Sequence, residues 1–177
     1  MNFDLIDPFA PTFWRHLLVT LFCGGIIGLE RQLRSKAAGI RTSILICLGT
    51  QAFISLSLSS NLPQVDPTRV LGQVVTGVGF IGGGLIMARE GHLEGVTSAA
   101  IIWGLAAIGS LIGFGHLYAA VALSLVTVGI LVGVEFLESV FLKLRPGAHG
   151  GHPYVSDHPN PNPKTKIRPA RHRTPLG

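Results

Sequence analysis

The sequence predicts an all-α membrane protein, a polytopic bundle of about five transmembrane helices with glycine-rich packing, and three observations carry that prediction. Charge is scarce: Asp, Glu, Lys and Arg make up 13% of the 177 residues, about half the share of an ordinary soluble domain. Apolar runs of membrane length recur along residues 13–142, and mean hydropathy is +0.49. Most of the 23 glycines sit inside those runs, where transmembrane helices tolerate them.

Crossing a hydrocarbon core of roughly 30 Å takes about 20 helical residues, and the candidate spans in order are residues 13–29, 42–60, 69–88, 95–114 and 117–142. The first is short and is preceded by Asp4 and Asp7, where a removable signal would carry Lys or Arg, so it is expected to stay in the mature protein. The second and third are parted by a polar stretch ending in Asp66 and Pro67, which fit an N-cap and a first helical turn. The fourth and fifth are parted only by Gly115 and His116, which fit either a tight turn or a kink in one long helix.

All of the 14 Lys and Arg except Arg15 and Arg69 fall on one side of this five-span arrangement, in the first and third loops and after the last span. Positive charge accumulates on the cytoplasmic side, so the N-terminus is expected outside and the C-terminus inside. Two domains follow: residues 1–145 as the membrane bundle and residues 146–177 as a disordered basic tail, whose Pro, Asn, Lys and Arg run has no apolar periodicity. That tail suits anionic lipid; nucleic acid is not expected as a partner, because stacking aromatics are missing. His149, His152 and His158 are either chelating residues or neutral tail histidines.

Cys23 and Cys47 are single cysteines in two apolar runs, without CxxC or zinc-type spacing, so they read as small packing residues. Small residues four apart let helix backbones approach closely in lipid. Gly24 with Gly28, Gly79 with Gly83, Gly109 with Gly113 and Gly129 with Gly133 have that spacing. This signal does not separate packing within the bundle from homo-oligomerisation. Gly77, Gly79 and Gly82 spell GxGxxG, but no strand precedes them and a dinucleotide site needs a strand-to-helix turn. Gly82, Gly83 and Gly84 either pack closely or interrupt the third helix, as in transporters whose broken helices expose backbone dipoles.

Ionisable residues gather at the basic ends of the spans: Glu30, Arg31 and Arg41 around the first loop, Arg89, Glu90 and Glu94 around the third, and Glu135 and Glu138 late in the fifth span. Intramembrane charge is a functional candidate, whereas interfacial charge also serves as an anchor. The candidate polar cluster is Glu30, Arg31, Arg41 and Thr42 with Glu94 and Thr97, in which mixed signs can neutralise one another. Asp66, Arg69 and Gln73 form a second polar group at the opposite end, with capping the favoured role for Asp66. No Ser/His/Asp set, buried carboxylate pair or HExxH pattern is present, so no catalytic residue, metal site or cofactor is expected.

Three ordered stretches, GGIIGLERQLRSKAAGIRTSILICLGT (Gly24 to Thr50), DPTRVLGQVVTGVGFIGGGLI (Asp66 to Ile86) and GHLEGVTSAAIIWGLAAIG (Gly91 to Gly109), make the chain similar to the MgtC/SapB family of bacterial inner-membrane proteins. Ile81, Gly83, Val96 and Ser98 depart mildly from the family pattern. The resemblance implies a plasma-membrane protein linked to growth in low magnesium and to virulence. It also implies that the protein modulates other membrane proteins, notably the ATP synthase. The family signature falls on Glu30, Arg31, Gly39, Arg41 and Thr42, on Asp66, Arg69, Gly77, Gly79, Phe80 and Gly82, and on Gly95, Thr97, Ala99, Ala100 and Trp103. Longer members carry a cytoplasmic ACT-like regulatory domain where this chain has a short basic tail. A transporter or channel for Mg²⁺ or another small solute is the competing expectation, weakened by the lack of Asp and Glu in the middle of the spans.

Overall fold

A computed structural model of the chain describes residues 3–59, 66–89 and 92–144. The basic tail with its three histidines, and Glu90, lie outside those residues.

A short 3-10 turn, Phe3–Leu5, precedes five α-helices: α1 (Pro11–Leu33), α2 (Ile40–Ser59), α3 (Pro67–Gly83), α4 (Val96–Gly113) and α5 (Leu117–Leu144). Four of them, α1, α2, α4 and α5, are long and apolar enough to cross a membrane. The fifth, α3, has 17 residues, or about 25 Å at 1.5 Å per residue, some 5 Å less than the hydrocarbon core. The expected third span of 69–88 is therefore corrected at its far end. The helix stops at Gly83, with Gly84 as its cap, because three consecutive glycines carry the poorest helix propensity of any residue but proline. Beyond it, Met87–Arg89 (β1) pairs antiparallel with His92–Glu94 (β2), Met87 opposite Glu94. The glycine triplet ends α3 and leads into a hairpin.

Helix boundaries follow local chemistry. Pro11 opens α1 and Pro67 opens α3, where a missing N–H costs nothing. Asp66 caps α3 by accepting from the Thr68 backbone N–H at 2.9 Å and the Thr68 hydroxyl at 2.7 Å. α4 ends in a Schellman closure: Gly115 at φ 87° donates to the Ile112 carbonyl, and His116 donates to that of Leu111. Gly115 and His116 thus form a turn between two separate helices. α1 ends the same way, Ser35 donating to Gln32 and Lys36 to Arg31, but the left-handed position is held by Ser35 at φ 53°.

The core lies where α1, α2 and α4 meet. Cys23 and Ile27 from α1, Cys47 from α2, Ile101, Leu105, Ile108 and Ile112 from α4 and Ala120 from α5 form one buried cluster. Both cysteines are free and buried, and the Cys47 thiol donates to the Leu105 carbonyl at 3.2 Å. A smaller cluster of Val78, Ile102 and Ala106 joins α3 to α4. Leu18, Leu45, Phe53, Phe80, Leu125, Ile130 and Phe136 point outward and exposed, the arrangement expected of a chain whose solvent is hydrocarbon.

Candidate functional site

The candidate site is a four-charge cluster at the end of α1. Because α1 runs to Leu33, the polar residues Glu30, Arg31 and Gln32 stay helical, and Glu30 and Arg31 are carried inward, 8% and 5% exposed. Arg31 Nη1 lies 3.6 Å from Glu30 Oε2, and Arg31 Nη2 donates to the Ser98 hydroxyl at 3.5 Å. One turn on, at the i, i+4 spacing that places side chains together on a helix, Arg34 pairs with Glu30. Arg34 also pairs with Glu135 of α5. Two carboxylates and two guanidiniums therefore cancel while tying α1 to α4 and α5. Arg31 Nε has no hydrogen-bond partner among the described residues.

The structure divides the expected cluster. It brings Glu30 and Arg31 together and leaves Arg41, Thr42, Glu94 and Thr97 exposed and outside the network. Those four belong to the starts of α2 and α4 and the end of β2, whose exposed faces need no internal charge partner. Arg34, Ser98 and Glu135 take their places. The Glu30–Arg34 spacing signals one of these pairs in the sequence; the partnership with Glu135 depends on how α5 lies against α1, which no local spacing encodes.

At the opposite end, Asp66 serves as the cap, while Arg69 is exposed and Gln73 faces a groove between α2 and α3. Hydrogen bonds from the Thr68 hydroxyl and backbone, with a smaller contribution from Arg69, hold the Asp66 carboxyl below its usual pKa. The groove encloses about 660 Å³ and is lined almost wholly by apolar side chains and glycine, with Thr42, Thr50 and Gln73 its polar residues. Among the described residues, no three His, Cys, Asp or Glu side chains are grouped to hold a metal ion.

The glycines also divide. A Cβ on Gly24 would lie 2.9 Å from the Ile44 Cα, and one on Gly28 2.6 Å from the Ile40 Cα, both in α2. From the other side, a Cβ on Gly109 would meet the Cys47 carbonyl at 2.5 Å, and one on Gly113 the Ile54 Cβ at 2.6 Å. Gly82 approaches Ala99 more loosely, at 3.4 Å. Gly77, Gly79 and Gly83 make no such approach, with no atom within 4 Å of a Cβ placed on them, so for these three the spacing does not report packing within the bundle. Gly79 and Gly83 lie on an open side of α3, and Gly77 opens on the groove between α2 and α3.

Comparison with known proteins bears on the same segments. The MgtC family model matches residues 17–140. YhiD of Escherichia coli (strain K12), provisionally named a magnesium transporter, is 47% identical over 108 residues, 57% of this chain and 50% of that protein. Protein MgtC of Brucella abortus (strain 2308) is 40% identical over 117 residues, 62% of this chain and 49% of that protein. Protein MgtC of Salmonella typhimurium (strain LT2) is 38% identical over 111 residues, 63% and 47% respectively. The chain spans about half the length of the curated relatives it matches. No solved structure matches it. The ordered match over residues 17–140, enclosing the ion-paired end of α1 and the α2-centred glycine seams, assigns the chain to the MgtC family.

Proposed function

We propose that this chain is a non-enzymatic accessory protein of the bacterial inner membrane, linked to magnesium homeostasis and to virulence, that acts by binding other membrane proteins such as the ATP synthase. The carrying observation is the open small-residue face of α3, where Gly72, Gly79 and Gly83 have nothing within 4 Å of a built Cβ. In lipid, where helices have no hydrophobic reason to associate, a small-residue face lets a second helix approach closely enough to gain van der Waals contact. The magnesium link draws on the names of the relatives. The orientation follows the basic residues, with the N-terminus outside and the ends of α1 and α3 at the cytoplasmic face.

Transport is the second reading, favoured by the name of the Escherichia coli relative. Against it, Glu30 is already neutralised by Arg31 and Arg34, and a hard divalent cation needs several free oxygen ligands. Proteoliposomes holding the full chain should show Mg²⁺ flux no greater than empty vesicles. A partner captured in mild detergent should be lost when Gly79 and Gly83 are both replaced by leucine. Flux that is abolished by Glu94→Ala would overturn the accessory reading.

A further inference from the structure

We infer that the groove between α2 and α3 is a binding site for one acyl chain of an anionic phospholipid, with the headgroup held by Arg41 at its mouth. Three features select this occupant. The first is shape: the lining runs from Thr42 to Phe53 along α2 and from Val70 to Ile81 along α3. Each stretch spans roughly 17 Å at 1.5 Å per residue, against about 15 Å for half of a hydrocarbon core. The slot is one leaflet long, and its volume of about 660 Å³ lies within the roughly 300–1,000 Å³ typical of small-molecule sites.

The second feature is chemistry. Leu45, Phe53, Val74 and Ile81 supply apolar walls, and Gly49 and Gly77 hollow them. A polar solute or hydrated cation gains little there, whereas a methylene chain loses nothing on leaving its neighbours in the bilayer. A transmembrane helix, at 10–12 Å across with side chains, is matched instead by the other side of α3. Gly77 and Gly79 are separated by roughly 200° around that helix, so the slot and the small-residue face are different surfaces.

The third feature is charge. Arg41, exposed in the first turn of α2, precedes the lining residue Thr42. No carboxylate among the described residues lies within ion-pairing distance of it. Lys36 is exposed in the same loop. At the other mouth Arg69 stands three residues from the Asp66 carboxylate, whereas the nearest carboxylate to Arg41 in the sequence is Glu30, which Arg31 and Arg34 already hold. The free cation, and hence the phosphate, belongs at the Arg41 end.

The test uses the full chain in nanodiscs containing equal phosphatidylglycerol and phosphatidylcholine with identical acyl chains, followed by native mass spectrometry of the released protein. One retained lipid per chain is expected, with phosphatidylglycerol favoured roughly fivefold, the effect of about one cationic contact at a membrane surface. Arg41→Ala should abolish that preference. Gly77→Leu and Gly49→Leu, which fill the slot from opposite walls and meet no atom within 4 Å at their Cβ positions, should each remove retention of both lipids. Gly129→Leu, also unobstructed and on α5, which contributes nothing to the slot lining, should change neither, and helical circular dichroism should be the same for all four variants. Equal retention of the two lipids, or retention that survives both slot-filling variants, would overturn the inference. So would a two-chain species lost on slot filling, since a second copy would then be the occupant.

Discussion

The α2-centred seams and the outer side of α3 are made of the same material and end in opposite situations. Gly24, Gly28, Gly109 and Gly113 press α1 and α4 against the backbone or Cβ atoms of α2 at distances that leave no room for a methyl group. Gly72, Gly79 and Gly83 on the outer side of α3 face open space. Small-residue spacing therefore marks where a backbone is accessible, and only the fold decides whether this chain or something else uses it. Charge follows the same division, buried at Glu30 and Arg31 and cancelled there with the partly exposed Arg34, exposed at Arg41 and Glu94.

Substitutions on the two sides should therefore diverge. The largest contrast is in charge. Glu30→Ala strands the buried Arg31, while Arg34 keeps Glu135, and is expected to cost about 3–5 kcal/mol, whereas Glu94→Ala, at an exposed position, should stay within about 0.5 kcal/mol; denaturant titration in detergent micelles measures both. Next comes a contrast of sign. Gly28→Ala forces α1 away from Ile40 and should destabilise by roughly 1–3 kcal/mol, while Gly79→Ala meets no atom and should stabilise by up to about 1 kcal/mol through helix propensity. Equal effects at the two glycines would erase the distinction between closed and open faces.

A smaller gain is expected at the closure of α1. Ser35 holds the left-handed position that Gly115 fills in the equivalent closure of α4, so Ser35→Gly should raise stability by about 0.5–1 kcal/mol, read as a shift in thermal midpoint. The smallest effect is a pH dependence confined to α3. The folded Asp66 carboxyl sits below its unfolded value, so its cap is fully effective above about pH 4 and weakens as pH falls through the lowered pKa. Amide exchange at Thr68 and Arg69 should accelerate in that acidic window while α2 is unaffected, and Asp66→Asn should remove the dependence.

The helices were legible in the sequence because hydrocarbon forces every spanning segment to satisfy its own backbone, so run length alone reports them. The Asp66 cap and the burial of both cysteines were legible on local chemistry too, whereas Gly115 and His116 fitted a turn or a kink alike until the Schellman closure separated them. What escaped was relational. Glu30 and Arg31 were visible as a mixed-sign pair, but their real companions are set by the rotation of α1 against α4 and α5, so Ser98 and Glu135 join and Arg41 and Glu94 do not. Gly24 and Gly79 look alike in sequence for the same reason. The end of α3 was half legible: the glycine triplet was evident, but not the hairpin after it, which returns the chain so closely that a Cβ on the left-handed Gly95 would collide with the Leu85 carbonyl.

The glycine contacts on α2 also carry a temporal consequence. The α1–α2 seam joins neighbours in the chain, so it can close as soon as those two helices leave the insertion machinery, at little loop-closure cost. α4 then finds its own half of α2 already positioned, through contacts at Cys47, Thr50 and Ile54. α3 inserts between these events with few tight contacts to either, and α5 is held chiefly by the α1–α4 core and the Arg34–Glu135 pair. Assembly on this scheme is ordered by tightness rather than by position in the chain, with α1, α2 and α4 setting first.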